Sequence, residues 1–277
     1  MKKASIGFTL AFIFVCGFIL IREIQGRQLD SDKALAVMTF NVGTFNSQRP
    51  DMGLVRRLIA EMGTPEVLLL QEVPGKKQAV FLADNLKFQS CVFEYYPSGK
   101  DGLAVISKHP LKKLKTFYFG GYASLAAEAD IEGEKVLLLS VHLERVKGVR
   151  VTETAVELPW KAAFKLFENE ISQKTPRSRA VDEILSWISL QPYKNIIIAG
   201  DFNTIPFSKT IRKIDSKFKD SLWPGLDYLA GSYNKLSLPI EPRIDYIFHS
   251  PGLKRITASV IKESAGDHYP VRAVFDL

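Results

Sequence analysis

"IIIAGDFNTIP", residues Ile196 to Pro206, is the stretch on which the reading of the fold turns. Four hydrophobic positions and a glycine give way at once to a carboxylate, an aromatic ring and a carboxamide. β-Branched residues suit a buried strand, but such a strand has no need of Asp201 and Asn203 at its tip. The ending has a chemical reason only if other strands finish in the same way.

They do. "ALAVMTFNVGTF" reads as a strand ending at Asn41, and "EVLLLQEV" as a buried strand ending in Gln71 and Glu72. "KVLLLSVHLE" ends in His142, "RIDYIFHS" carries Asp245, and "GDHYPVRAVFDL" opens with Asp267 and His268. "GLAVISKHPL" is a further strand, broken by Pro110. Between the first two, "DMGLVRRLIAEMG" sets Leu54, Val55, Leu58, Ile59 and Met62 on one helical face and stops at Gly63. Residues 143–190 read as helix-rich, "RAVDEILSWI" being the clearest amphipathic piece. Hairpin-length and crossover-length gaps both occur, which argues for mixed sheets covered by helices and against a purely parallel barrel.

Singly, each polar strand end has an ordinary explanation as a turn former or a solvated charge. Together they matter, because strand ends in a layered fold gather at one rim. Carboxylate and amide oxygens are hard ligands, suited to Mg²⁺ or Mn²⁺ and not to a closed zinc site. Histidines held beside carboxylates in fixed tautomers can steady a phosphate or move protons. There is no Gly-rich phosphate loop followed by Lys and no Gly-x-Ser-x-Gly elbow. Metal-assisted attack of water on a phosphoester fits this set best.

The chain has 277 residues, 46% hydrophobic and 24% charged, which is ordinary for a globular protein. Its net charge is +7, of which residues 1–30 hold +2 (Lys2, Lys3, Arg22 and Arg27 against Glu23 and Asp30), leaving +5 for the rest. That balance suits an anionic substrate or surface without requiring either. Cys16 and Cys91 form no disulfide framework. Ala4 to Ile21 contains no charge. As a helix these residues span roughly 27 Å, close to the hydrocarbon thickness of a bilayer. The run is long for a cleaved signal and "ILIREIQG" is a poor exit from one. The expectation is a membrane anchor and tether over residues 1–30 and one catalytic domain over 31–277. Lys2 and Lys3 stay inside and the domain lies outside the cytoplasm, periplasmic or extracellular. Cleavage of the segment would make the product secreted.

"TFNVGTFN", "LLLQEV", "GLAVISKHPL", "LLLSVHLE", "IIIAGDFNTIP", "RIDYIFHS" and "GDHYPV" resemble, in order, the motifs of the endonuclease/exonuclease/phosphatase superfamily. The resemblance implies an α/β (α+β) four-layer sandwich: two mixed β-sheets face to face, flanked by helices, with the site at one rim. It implies metal contacts from Asn41, Glu72 and Asp267. It gives catalytic roles to His268, to Asp245 as its orienting partner, to Asp201 at the water and to Asn203 and His142 at the phosphate. Whether an Asp or the His takes the proton stays open.

Two departures stand out. Deoxyribonuclease-like members place a Glu to hold the first histidine, and the nearest counterpart here is Asp101 in "GKDGLAV". Many members carry an Arg on the strand before the "HL" motif, whereas "ASLAAEADI" has none, leaving one phosphate contact open. The expected substrate is a phosphoester (phospholipid, nucleic acid or small phosphate ester), handled by a monomer with Mg²⁺ as cofactor. The contrasting reading is a catalytically silent envelope protein using the same scaffold as an interaction surface.

Overall fold

The computed structural model describes residues 34–43, 50–145, 150–151, 156–157, 171, 175–234 and 241–277. The expected anchor, residues 1–30, lies outside these, as does most of 146–174. In chain order the strands are β1 (Ala34–Asn41), β2 (Val67–Val73), β3 (Ser90–Tyr95), β4 (Gly102–Ser107), β5 (Leu111–Phe119), β6 (Tyr122–Ile131) and β7 (Glu134–His142). There follow the short pair β8 (Arg150–Val151) and β9 (Val156–Glu157), then β10 (Asn195–Asp201), β11 (Lys219–Asp220), β12 (Asp245–His249), β13 (Lys254–Val260) and β14 (Val271–Asp276). The helices are α1 (Met52–Glu61), α2 (Lys76–Asn85), α3 (Pro176–Ile188) and α4 (Lys209–Asp215).

Two six-stranded sheets form, in the orders β13-β14-β1-β2-β4-β3 and β11-β12-β10-β7-β6-β5. Each is mixed: β1 runs parallel to β2 in the first and β7 parallel to β10 in the second, the other pairings being antiparallel. Alternate residues of the central strands point to opposite faces, and both faces are covered, so these strands are apolar throughout. Leu35, Val37, Leu69 and Val105 meet Leu125, Leu138, Ile197 and Ile247 between the sheets. On the outer face of the first sheet, Met38, Phe40, Leu68 and Leu70 pack on Val55 and Ile59 of α1 and Leu82 of α2. On the outer face of the second, Leu139, Ile196, Ile198 and Phe248 pack on Val181 and Ile184 of α3 and Ile211 of α4. The result is the expected four-layer sandwich, helices outside and sheets within.

Side-chain caps start the helices where the sequence supplies them. Asp51 accepts from the backbone N–H groups of Gly53 and Leu54 at α1, Thr175 from Ser178 at α3, and Ser208 from Ile211 at α4. Among the described residues no helix is long and apolar enough to cross a membrane.

Candidate active site

Strand register brings the chemistry together. Asp201, last in β10, pairs with His142 of β7 on one side and with Asp245 of β12 on the other. Asn41, last in β1, pairs with Gln71 of β2, one residue before Glu72. Because the two sheets face each other, these ends meet: Asn41 Nδ2 donates to Asp201 Oδ2 at 3.0 Å and to Glu72 Oε1 at 3.2 Å.

Glu72 is aimed by a break in its strand. The pairing of β2 with β4 shifts register between Leu70 and Val73, and Glu72 takes φ 56°, the left-handed region that a non-glycine residue seldom adopts. Burial pushes its carboxyl pKa up, but the surrounding positive charges, Arg145 and His268 among them, and the Asn41 hydrogen bond outweigh this and hold it at about 2. Arg145 Nη2 donates to Glu72 Oε1 at 2.6 Å. The other oxygen faces Gly43, where an added Cβ would lie 2.1 Å from Glu72 Oε2. Only a glycine leaves that oxygen its room.

Asp201 is fully buried and accepts from Asn203 N at 2.8 Å, from Asn203 Nδ2 at 3.2 Å and from Asn41. Burial raises its pKa to about 7, the nearby Asp245 charge adding to the effect while His268 opposes it. His142 Nε2 stands 3.5 Å and His268 Nε2 3.7 Å from the same Oδ2 atom. Both Nδ2 hydrogens of Asn203 are taken, one by Leu143 O at 2.9 Å and one by Asp201. In this arrangement Asn203 braces Asp201 and offers no spare N–H to a phosphate.

The partner of the first histidine corrects the sequence-based expectation. Asp101 makes no hydrogen bond to His142; Tyr96 Oη lies 2.7 Å from His142 Nδ1. The same hydroxyl accepts from Glu72 N at 3.1 Å, so its own hydrogen goes to Nδ1. His142 is therefore the Nε2–H tautomer, and that buried N–H has no hydrogen-bond partner. Burial lowers the His142 pKa to about 3, keeping the ring neutral. Asp101 lies within electrostatic reach of Glu72, and burial followed by that charge raises its pKa.

His268 Nδ1 sits 2.9 Å from Asp245 Oδ2, which also accepts from Ser232 Oγ at 2.7 Å. Burial opposes a charge on this ring, but Asp245 and Asp201 overcome it and raise the pKa to about 10. Tyr233 packs edge-on against the ring, 5.0 Å between centroids. Asp267 adds its negative charge beside His268. Its loop is drawn to β1 by Gly266, whose added Cβ would lie 2.9 Å from Gly43 O.

Asn41, Glu72, His142, Asp201, Asn203, Asp245 and His268 thus form one connected cluster, with Asp267 at its edge. Asp201, Asp245 and His268 present ligand atoms within 4.8 Å of one another, but Asp245 and His268 are already bonded together. A cation is better served by Glu72, ionised though buried and with one oxygen open beside Gly43. Sequence reasoning missed Tyr96, Ser232 and Arg145. It also missed the buried link beneath them, Gln71 Nε2 to Ser140 Oγ at 3.1 Å, which ties the two sheets under the site. Tyr96, Ser232 and Arg145 lie outside every motif quoted above; only tertiary contact identifies them.

Solved structures share this architecture. An endonuclease/exonuclease/phosphatase from Beutenbergia cavernae DSM 12333 is 21% identical with a TM-score of 0.62, covering 88% of this chain and 72% of that one. Truncated Caenorhabditis elegans TDP2 is 18% identical with a TM-score of 0.63, covering 88% and 98%. D. rerio TDP2 complexed with single strand DNA product is 17% identical with a TM-score of 0.63, covering 89% and 100%. At these identities the likeness establishes the fold. Among curated proteins none matches the chain in sequence. The family model matches residues 38–268, from the middle of β1 to the His268 ring, and the chain belongs to the Endonuclease/Exonuclease/phosphatase family.

Proposed function

We propose that the chain is a membrane-tethered hydrolase of phosphoester bonds that depends on a divalent cation, Mg²⁺ or alternatively Mn²⁺. The observation that carries this reading is the crowding at Asp201 Oδ2, where Asn41 and His142 from two strand ends meet Asn203 and His268 from loops. Such a knot of buried polar groups costs stability and is retained for chemistry.

Glu72, with Asn41 and Asp267, would hold the cation, which when bound supplies a Lewis acid for the phosphoryl oxygen. The chain's own groups divide the remaining work. Asp201, raised to about 7, is poised to take a proton from water near neutral pH. His268, charged because Asp245 holds it, faces developing negative charge with a positive ring. His142 offers its unpartnered Nε2–H to a phosphate oxygen, its tautomer fixed by Tyr96.

Residues 4–21 would serve as the anchor, with the domain outside the cytoplasm. The described chain enters β1 at Ala34 and reaches the site at Asn41. The test is turnover by the full-length protein, with Mg²⁺ and with chelator, on nucleic acid, phospholipid vesicles and small aryl phosphates. Metal-dependent release from one class supports the reading, and none from any class refutes it.

A further inference from the structure

Arg145 follows the His142 strand end by three residues and reaches over the mouth of the site. It spends one N–H on Glu72 Oε1, while its side chain remains 52% exposed. Tyr122, the first residue of β6, lies within electrostatic reach of Arg145, and its ring packs edge-on against His142 at 4.8 Å. Tyr122 thus braces the histidine, with the arginine close by. The carboxylates around them, Glu72, Asp201 and Asp267, only accept when ionised.

From this placement we infer that Arg145 is a specificity-determining residue that grips the outer oxygens of the substrate phosphate and makes the site select terminal phosphates, that is phosphomonoesters, over diesters. The inference rests on the hydrolase reading above and refines it. A guanidinium fork meets two phosphate oxygens at once, and the buried Nε2–H of His142 meets a third. A monoester has three unesterified oxygens to satisfy these donors. A diester has two, and its remaining ester oxygen turns a carbon substituent toward Arg145. The lost partner is a charge-assisted one, among the stronger hydrogen bonds available. β6 contributes no cation, so among the described residues that meet Glu72 Arg145 alone offers a fork.

The test compares full-length wild type, Arg145→Met and Arg145→Lys on p-nitrophenyl phosphate and bis-p-nitrophenyl phosphate, with inorganic phosphate binding measured by calorimetry in Mg²⁺. Wild type is expected to prefer the monoester. Arg145→Met should raise KM for the monoester and Kd for phosphate roughly 10- to 100-fold, the range of one charge-assisted hydrogen bond, with a much smaller effect on the diester. Arg145→Lys should recover part of the loss, because it returns the charge without the fork. Equal losses on both esters, or a phosphate Kd within twofold of wild type, would overturn the inference while leaving the hydrolase reading intact. Absence of turnover by wild type on either ester, with phosphate binding still weakened in Arg145→Met, would count against the hydrolase reading and leave the grip itself standing.

Discussion

Tyr96 Oη lies 2.7 Å from His142 Nδ1 and accepts from Glu72 N at 3.1 Å, so one phenol hydroxyl sets a histidine tautomer and satisfies the backbone at the bulge of β2. A carboxylate in that place would draw positive charge onto the ring. A phenol leaves it neutral, with Nε2–H as a donor.

Tyr96→Phe should therefore free His142 to change tautomer and leave a buried N–H at Glu72 unsatisfied. The expected cost is about 1–3 kcal/mol of stability, with a loss of turnover at saturating substrate. Nitrogen-15 chemical shifts of His142 should show protonated Nε2 in wild type and a mixed population in the variant. An unchanged shift pattern would mean that Tyr96 does not set the tautomer.

The Asp245–His268 pair predicts a pH dependence. The folded-state pKa of His268 is raised above its ordinary value, so its contribution to stability is fully present below about 6.5 and is lost as pH rises through about 10. Asp245→Asn should remove that slope and bring the ring back toward ordinary titration, as read by NMR. In kinetics, Asp245→Asn should cost much of what His268→Ala costs, and the double variant should fall far short of the product. Multiplicative losses would show that the two residues act independently.

Gly43→Ala tests the room beside Glu72 without touching a ligand. A Cβ 2.1 Å from Glu72 Oε2 must displace the carboxylate. Mg²⁺ affinity measured by calorimetry should fall at least about tenfold, the loss expected for disturbing groups that orient a metal ligand. Retained affinity would place the cation elsewhere, with the Asp201, Asp245 and His268 grouping as the next candidate.

The central strands were legible because they are buried on both faces: β1, β2, β4, β7, β10 and β12 stand out as apolar runs, and all but β4 carry a candidate site residue at or next to one end. The edges were not. β5 reads "LKKLKTFYF", with Lys112, Lys113 and Lys115 exposed as befits an unpaired edge, and a charged edge carries little strand signal. β3 and β13, the edges of the other sheet, are partly exposed with the same consequence, and the fourth edge, β11, is only two residues long. At the site, residues ending a buried strand were readable. Tyr96, Ser232 and Arg145 were not, since each acts from a loop whose position depends on the folded sheet. Asp101 was the wrong partner for His142 because sequence proximity to β4 says nothing of which side chain fills the space above the ring.

Topology around the membrane is tested by protease added to intact cells or spheroplasts. With residues 4–21 spanning and Lys2 and Lys3 inside, the domain should be digested and a membrane stub remain. Protection until lysis would reverse the orientation, and a soluble shortened product would mean the segment is removed.

The most direct measurement is Mg²⁺-dependent turnover of p-nitrophenyl phosphate by full-length wild type and Glu72→Gln, each titrated with Mg²⁺ and repeated in chelator. Glu72→Gln keeps the shape of the side chain and removes the charge, held in wild type at a pKa of about 2. Activity should vanish in chelator, and the variant's Mg²⁺ requirement should rise as its turnover falls by roughly 100-fold or more, the scale of losing a principal metal contact. Equal activity of both proteins in chelator would contradict this.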